Sequence, residues 1–186
     1  ELRNTINDNT RLLILNSPSN PTGKVYSEKE YRALGDVLLE HPKVFIVCDD
    51  IYEHIYWGKG PYRTLLNTCP GLAERTVVVN GVSKAYAMTG WRIGYAAGPE
   101  DVIRAMRKVQ GQSTSCPGSI SQAAAVAALN GPQDCVEEMR QAFRTRYEYF
   151  RAALNTIPGV ECPACEGAFY AFPSFQGVIH RREHRR

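Results

Sequence analysis

Long apolar runs are missing from this sequence of 186 residues, which nowhere stays apolar for the roughly 18 residues a membrane helix needs. A basic segment leading into an apolar one, the mark of a secretory signal, is missing too. Charge of one sign is scarce: 22 Lys+Arg stand against 19 Asp+Glu, a net of +3. The stretch from Gln176 to the end holds four arginines and one glutamate, so the tail carries all of that excess and the remainder balances. The body therefore offers no electrostatic footing for nucleic acid. Metal-site patterns are thin as well. Of the six cysteines only Cys162 and Cys165 stand close, in Cys-Pro-Ala-Cys, and no second pair follows. His180 and His184 lie in the tail without further ligand pattern, which argues against a structural zinc. A thioredoxin-like redox role needs such a pair to open a helix after a strand, and here it precedes a strand-like run. Without a signal peptide, the cysteines read as reduced thiols of a cytoplasmic protein.

What is present is an ordinary globular composition, 44% apolar and 22% charged. Apolar strands alternate with helical patterns. Arg11–Leu15 reads as a strand ending at Asn16-Ser17-Pro18. Ser27-x-x-Glu30 is a capping box, followed by Tyr31, Leu34, Leu38 and Leu39 near helical spacing. Further strands are expected at Lys43–Cys48, Thr76–Val79 and Trp91–Ala97, and helices at Glu100–Val109, Ser119–Leu129 and Pro132 to about Asn155. The Ala-rich Ser119–Leu129 helix reads as closely packed. Val160–Cys162 and Ala168–Phe172 look like strands of a separate small sheet. Continuous apolar strands alternating with helices predict an α/β fold with a sheet covered on both faces and ligands at the strand ends. A second, smaller unit is expected from about residue 133. The basic ending directly after a strand, and a start at Glu1, suggest a fragment.

Three polar clusters each follow an apolar strand. The first, Asn16 to Gly23, is by composition an ordinary turn. The second is Asp49-Asp50-Ile51-Tyr52. A carboxylate at the end of a buried strand is costly unless paired, and a helical turn here would aim Asp49 and Tyr52 the same way. The same pattern also suits a helix N-cap. The third is Gly81-Val82-Ser83-Lys84-Ala85-Tyr86-Ala87-Met88-Thr89-Gly90-Trp91-Arg92-Ile93-Gly94. A lysine held out of water becomes a nucleophile towards carbonyls, an arginine fork grips phosphate, and glycines allow close backbone approach. Taken alone, Lys84 and Arg92 also read as surface residues flanking a turn.

The Gly81–Gly94 segment resembles the pyridoxal-phosphate attachment signature of the class I aminotransferases, the aspartate aminotransferase family. Asn20-Pro21-Thr22-Gly23 and Asp49-x-x-Tyr52 resemble the same family's other cofactor motifs, in the same order and spacing. The resemblance runs from the first strand to about Phe175 and covers less than half of a family member. It implies a fold-type I aminotransferase-like α/β fold: residues 1–132 as part of the large domain, with a mostly parallel sheet between helices, and 133–186 as the truncated start of a smaller α+β domain. Lys84 matches the lysine that forms a Schiff base with pyridoxal 5'-phosphate and then shuttles a proton. Asp49 matches the carboxylate that keeps the pyridine nitrogen protonated, which makes the ring a better electron sink. Tyr52 and Asn20 match the partners of the cofactor's phenolic oxygen. Arg92 matches the phosphate anchor, and Ser83 a further phosphate donor, a role some members give to a serine at the position of Gly81. Gly167-Ala168-Phe169-Tyr170 resembles the strand before the substrate-carboxylate site. The arginine of that site falls downstream in the family and the ring-stacking aromatic upstream, so neither maps here.

The resemblance thus implies amino transfer from an aspartate, glutamate or aromatic amino acid to a 2-oxo acid, by a homodimer with no membrane or nucleic-acid partner. Alone, the 186 residues are expected to be inactive. Two alternatives share the motifs: a lyase or cyclopropane-forming synthase on the same fold, and an aminotransferase-like sensor domain of a transcription regulator.

Overall fold

The computed structural model describes residues 1–183; His184, Arg185 and Arg186 of the basic tail lie outside the described residues. The elements are α1 (Leu2–Thr5), β1 (Leu12–Asn16), α2 (Glu28–Glu40), β2 (Phe45–Asp49), α3 (Leu65–Thr68), β3 (Thr76–Gly81), α4 (Val82–Ala85), β4 (Gly94–Ala97), α5 (Glu100–Ser113), α6 (Ser119–Asn130), α7 (Asp134–Asn155) and α8 (Gln176–Glu183). The strands form one sheet in the order β1-β2-β3-β4. The first three run parallel, and β4 turns back antiparallel to β3. Parallel neighbours bring their carboxyl ends to one edge, and Asn16 pairs in register with Asp49, which pairs with Val79.

The main core lies between this sheet and α2. Leu15, Ile46 and Cys48 from the strands meet Tyr31, Val37 and Leu38 from the helix. Leu38 is wholly buried, which contributes roughly 1.5–3 kcal/mol. The predicted capping box starts α2: Glu30 N–H donates to Ser27 Oγ, and Ser27 N–H donates to Glu30 Oε2 at 2.7 Å. Of the predicted apolar stripe, Tyr31 and Leu38 face the core and Leu34 packs against it. Leu39 is exposed, one residue further round the helix from Leu38. Arg75 fastens the far end of α2, donating to the carbonyls of Leu38, His41 and Val44.

On the opposite face of the sheet Leu12, Ile14 and Phe45 remain exposed at 50%, 65% and 45%. In α6 only Ala125 is buried, and Ile120 and Val126 are exposed, so the expected close packing is confined to one side. A second apolar cluster forms where the turn after β2 meets the chain beyond residue 133. Tyr52, Ile55 and Ala168 are buried there against Met139 and Phe143 of α7.

The strands expected at Val160–Cys162 and Ala168–Phe172 do not form. Among the described residues this region holds isolated bridges instead, Glu161 with Ser174 and Tyr56 with Gly167. Ala168 adopts a left-handed φ of 58°, which breaks an extended run, and Pro163 and Pro173 offer no N–H to a ladder. Buried Cys162 and Cys165 flank this turn region.

Candidate active site

β2 ends on Asp49, and the chain then winds through tight turns rather than a helix. Asp49 Oδ1 accepts the Ile51 N–H at 3.2 Å within this turn, but no helix follows for it to cap, so the N-cap reading is not met. It also lines a cavity at the strand ends. Asp50 points elsewhere: it is 4% exposed, and its N–H donates to the Val79 carbonyl of β3 at 3.0 Å. Burial, and then the nearby Glu53 and Asp49 carboxylates, push the Asp50 carboxyl up to about 7. Tyr52, two residues on, is buried in the second apolar cluster.

β3 runs into Asn80-Gly81 and, without a loop, into the single turn of α4. Asn80 is nearly buried; its amide donates to Glu53 Oε1 at 2.5 Å and its Oδ1 accepts the Gly81 N–H at 2.7 Å. The lysine strand is thereby tied to the aspartate turn. A Cβ at Gly81 would lie 3.0 Å from the Gly94 Cα, so the two glycines let β3 and β4 come together directly after the turn. On α4 the half-buried Lys84 holds its amine between two rings, 5.7 Å from the centroid of Tyr52 and 5.6 Å from that of Phe169. Among the described residues it forms no ion pair. Arg92, in a left-handed conformation with φ 52°, donates to the Thr89 carbonyl at 2.8 Å. A non-glycine residue held there costs roughly 1–2 kcal/mol.

Asp49, Ser83 and Arg92 line one cavity of about 340 Å³, together with Asn80. Lys84 and Tyr52 are not among its lining residues; the lysine amine lies over the tyrosine ring, and the two adjoin the cavity through their chain neighbours Ser83 and Ile51. Asn20 stands apart from both groups. Its backbone N–H donates to Asn16 Oδ1 at 2.7 Å, and Asn16 Nδ2 in turn donates to the Asp49 carbonyl at 3.0 Å. The loop thus reaches the same sheet edge, but the Asn20 side chain is exposed and makes no hydrogen bond among the described residues. A larger cavity, about 1100 Å³, lies beyond this loop and includes none of the six predicted residues. We take the smaller one as the site, because it gathers an acid, a hydroxyl and a guanidinium next to an amine.

Asn80 belongs to this neighbourhood without having been singled out, and Phe169 and Tyr170, read as the strand before the substrate-carboxylate site, belong to it through their contacts with Tyr52. The rings of Phe169 and Tyr170 lie 5.0 Å apart, each edge-on to Tyr52. For Asn80 the available signal is its place directly before Gly81. For Phe169 and Tyr170 it is an aromatic pair after a glycine, which read as strand.

The donor set suits a phosphorylated pyridine aldehyde: a carboxylate for a ring nitrogen, a guanidinium and hydroxyl for a phosphate, and an amine for the aldehyde carbon. Such groups at the strand ends of an α/β sheet resemble the cofactor site of fold-type I pyridoxal-phosphate proteins, and that cofactor would fit them. The chain belongs to the aminotransferase class I and II family, whose model matches residues 1–183. It is 53% identical over 181 residues to an aspartate/prephenate aminotransferase of Nitrosomonas europaea, covering 97% of this chain and 46% of that one. It is 50% identical over 174 residues to the aspartate aminotransferase of Bacillus subtilis, covering 94% of this chain and 44% of the relative. The crystal structure of the Rhizobium meliloti aspartate aminotransferase superposes with a TM-score of 0.92 at 54% identity, covering 95% of this chain and 44% of that one. That of the aromatic aminotransferase of Pyrococcus horikoshii gives 0.87 at 38%, covering 92% and 46%. The chain spans under half the length of these relatives.

Proposed function

We propose that this chain is the lysine-bearing part of a pyridoxal-phosphate-dependent aminotransferase, acting on an amino acid of aspartate, glutamate or aromatic type and a 2-oxo acid. The observation that carries the reading is the convergence of Asp49, Ser83 and Arg92 on one cavity, with Lys84 one residue from Ser83. Bound pyridoxal phosphate would supply the electron sink for a carbanion at the substrate Cα. Lys84 would hold it covalently and afterwards carry the proton. Its half-buried amine lies over two aromatic rings, which reduces the water around a proton moved there. Asp49 would keep the ring nitrogen charged, and its bond from the Ile51 N–H fixes one of its oxygens while the cavity leaves it reachable. Arg92 and Ser83 would hold the phosphate, and Tyr52 and Asn20 the phenolic oxygen. Residues 1–132 then belong to a large cofactor-binding domain and 133–186 to a small one, in a protein that works as a homodimer. The relatives named above support the aminotransferase reading over the lyase and the regulator.

The test is to express the full reading frame that contains this chain, load it with pyridoxal phosphate, reduce with borohydride and map the adduct by mass spectrometry. Label on Lys84, and its loss together with transamination in Lys84→Ala, is expected. Label on another lysine would refute the assignment.

A further inference from the structure

The hydroxyls of Tyr52 and Tyr170 stand 2.5 Å apart across 118 positions of sequence. Their rings meet edge-on, with centroids 5.7 Å apart and planes at 77°. Tyr52 is 4% exposed, and Tyr170 is the hydrogen-bond partner of its hydroxyl among the described residues. The segment that delivers Tyr170 is held from both sides. Ala168 N–H donates to the Ile55 carbonyl at 2.8 Å, and Trp57 N–H donates to the Glu166 carbonyl at 2.8 Å. Between these anchors Ala168 takes the left-handed φ of 58° that alanine disfavours. Strain kept at such a position is sustained by the surrounding contacts, and here it turns Phe169 and Tyr170 together onto Tyr52. A phenol whose oxygen accepts a hydrogen bond becomes a better donor through its own O–H, because the bonds of a chain polarise one another.

We propose that Tyr170 is a positioning residue of this site: its hydroxyl donates to Tyr52 and leaves the Tyr52 proton directed to the phenolic oxygen of the cofactor. This rests on the cofactor reading given above. Tyr170 itself touches no reacting atom and acts through Tyr52. The charged and titratable groups facing Tyr52 are Asp49 on its own turn, Lys84 from α4 and Tyr170 from the bridged segment. The cluster residues that α7 contributes, Met139 and Phe143, carry no charge.

The measurement is the pH titration of absorbance of the cofactor-loaded, full-length protein, which follows protonation of the link to Lys84. A strong donor at the phenolic oxygen holds that midpoint low. Tyr170→Phe keeps the ring and its packing and removes only the hydroxyl. It is expected to raise the midpoint by about one pH unit, the scale of one polarising hydrogen bond. Tyr52→Phe is expected to raise it further, and adding Tyr170→Phe to Tyr52→Phe to change nothing more, since the second residue works through the first. An unchanged or lowered midpoint in Tyr170→Phe overturns the proposal, and so does a rise that persists in the Tyr52→Phe background. A wild-type protein that takes up no pyridoxal phosphate on Lys84 overturns the function reading, and this inference with it. A normal borohydride adduct with an unmoved titration overturns this inference alone.

Discussion

Asp49 and Asp50 are chemically identical neighbours with opposite surroundings. Successive residues leaving a strand face opposite ways, so one carboxylate lines the cavity while the other is buried beside Glu53. Asp49→Asn is expected to lower kcat/KM of the full-length protein by about 10²–10³-fold, the scale for removing one preorganised electrostatic partner. Asp50→Asn should be far milder in rate; if it proves the crippling change, the register is wrong. Asp50 instead governs pH dependence. Its carboxyl lies near 7 when folded and near 3.8 when unfolded, so the folded state favours the protonated form. Its penalty is absent below about pH 4, grows as pH rises towards 7, and is constant above. Asp50→Asn should therefore raise the melting temperature at pH 8 and not at pH 4; equal shifts at both would disprove this. Asp49, Ser83 and Lys84 were marked in the sequence by the apolar runs they follow, and Arg92 by the glycines on either side of it. The contact of Tyr170 with Tyr52 was not, because a fold across 118 positions makes it, which no local pattern encodes.

At the scale of elements, the parts written in local chemistry were readable. The Ser27 box and the strand ends at Asn16, Asp49 and Gly81 follow from neighbouring residues alone. The segment 160–172 was misread, because alternating apolar residues promise a strand only where a partner edge exists. Arg75 shows the other kind of dependence: its guanidinium serves three carbonyls around the end of α2 and the start of β2. Replacing it by methionine keeps the apolar stem and abandons those acceptors. Arg75→Met is expected to cost on the order of 3 kcal/mol in urea denaturation, against about 1 kcal/mol for Ser27→Ala. Equal costs would mean that water satisfies the Arg75 carbonyls.

For the molecule as a whole, the 186 residues expressed alone are expected to turn over no aspartate with 2-oxoglutarate. They hold candidates for the electron-sink partner and proton carrier, but no group that matches the family's clamp on the substrate carboxylate. Orientation of a bound reactant supplies roughly 7–11 kcal/mol of a barrier, so its loss is not made good by more substrate. Measurable turnover by the purified chain would contradict this. The exposed Leu12, Ile14 and Phe45 add that such a preparation offers a bare apolar sheet face to its surroundings. The distance along the chain between Lys84 and the aromatic pair at Phe169 and Tyr170 has a further result for the living cell. Translation adds about 5–20 residues per second, so the lysine leaves the ribosome roughly 4–17 s before Tyr170 does. Through that interval the nascent chain carries its amine with the Tyr52 ring but without that of Phe169, which joins it only as synthesis moves on.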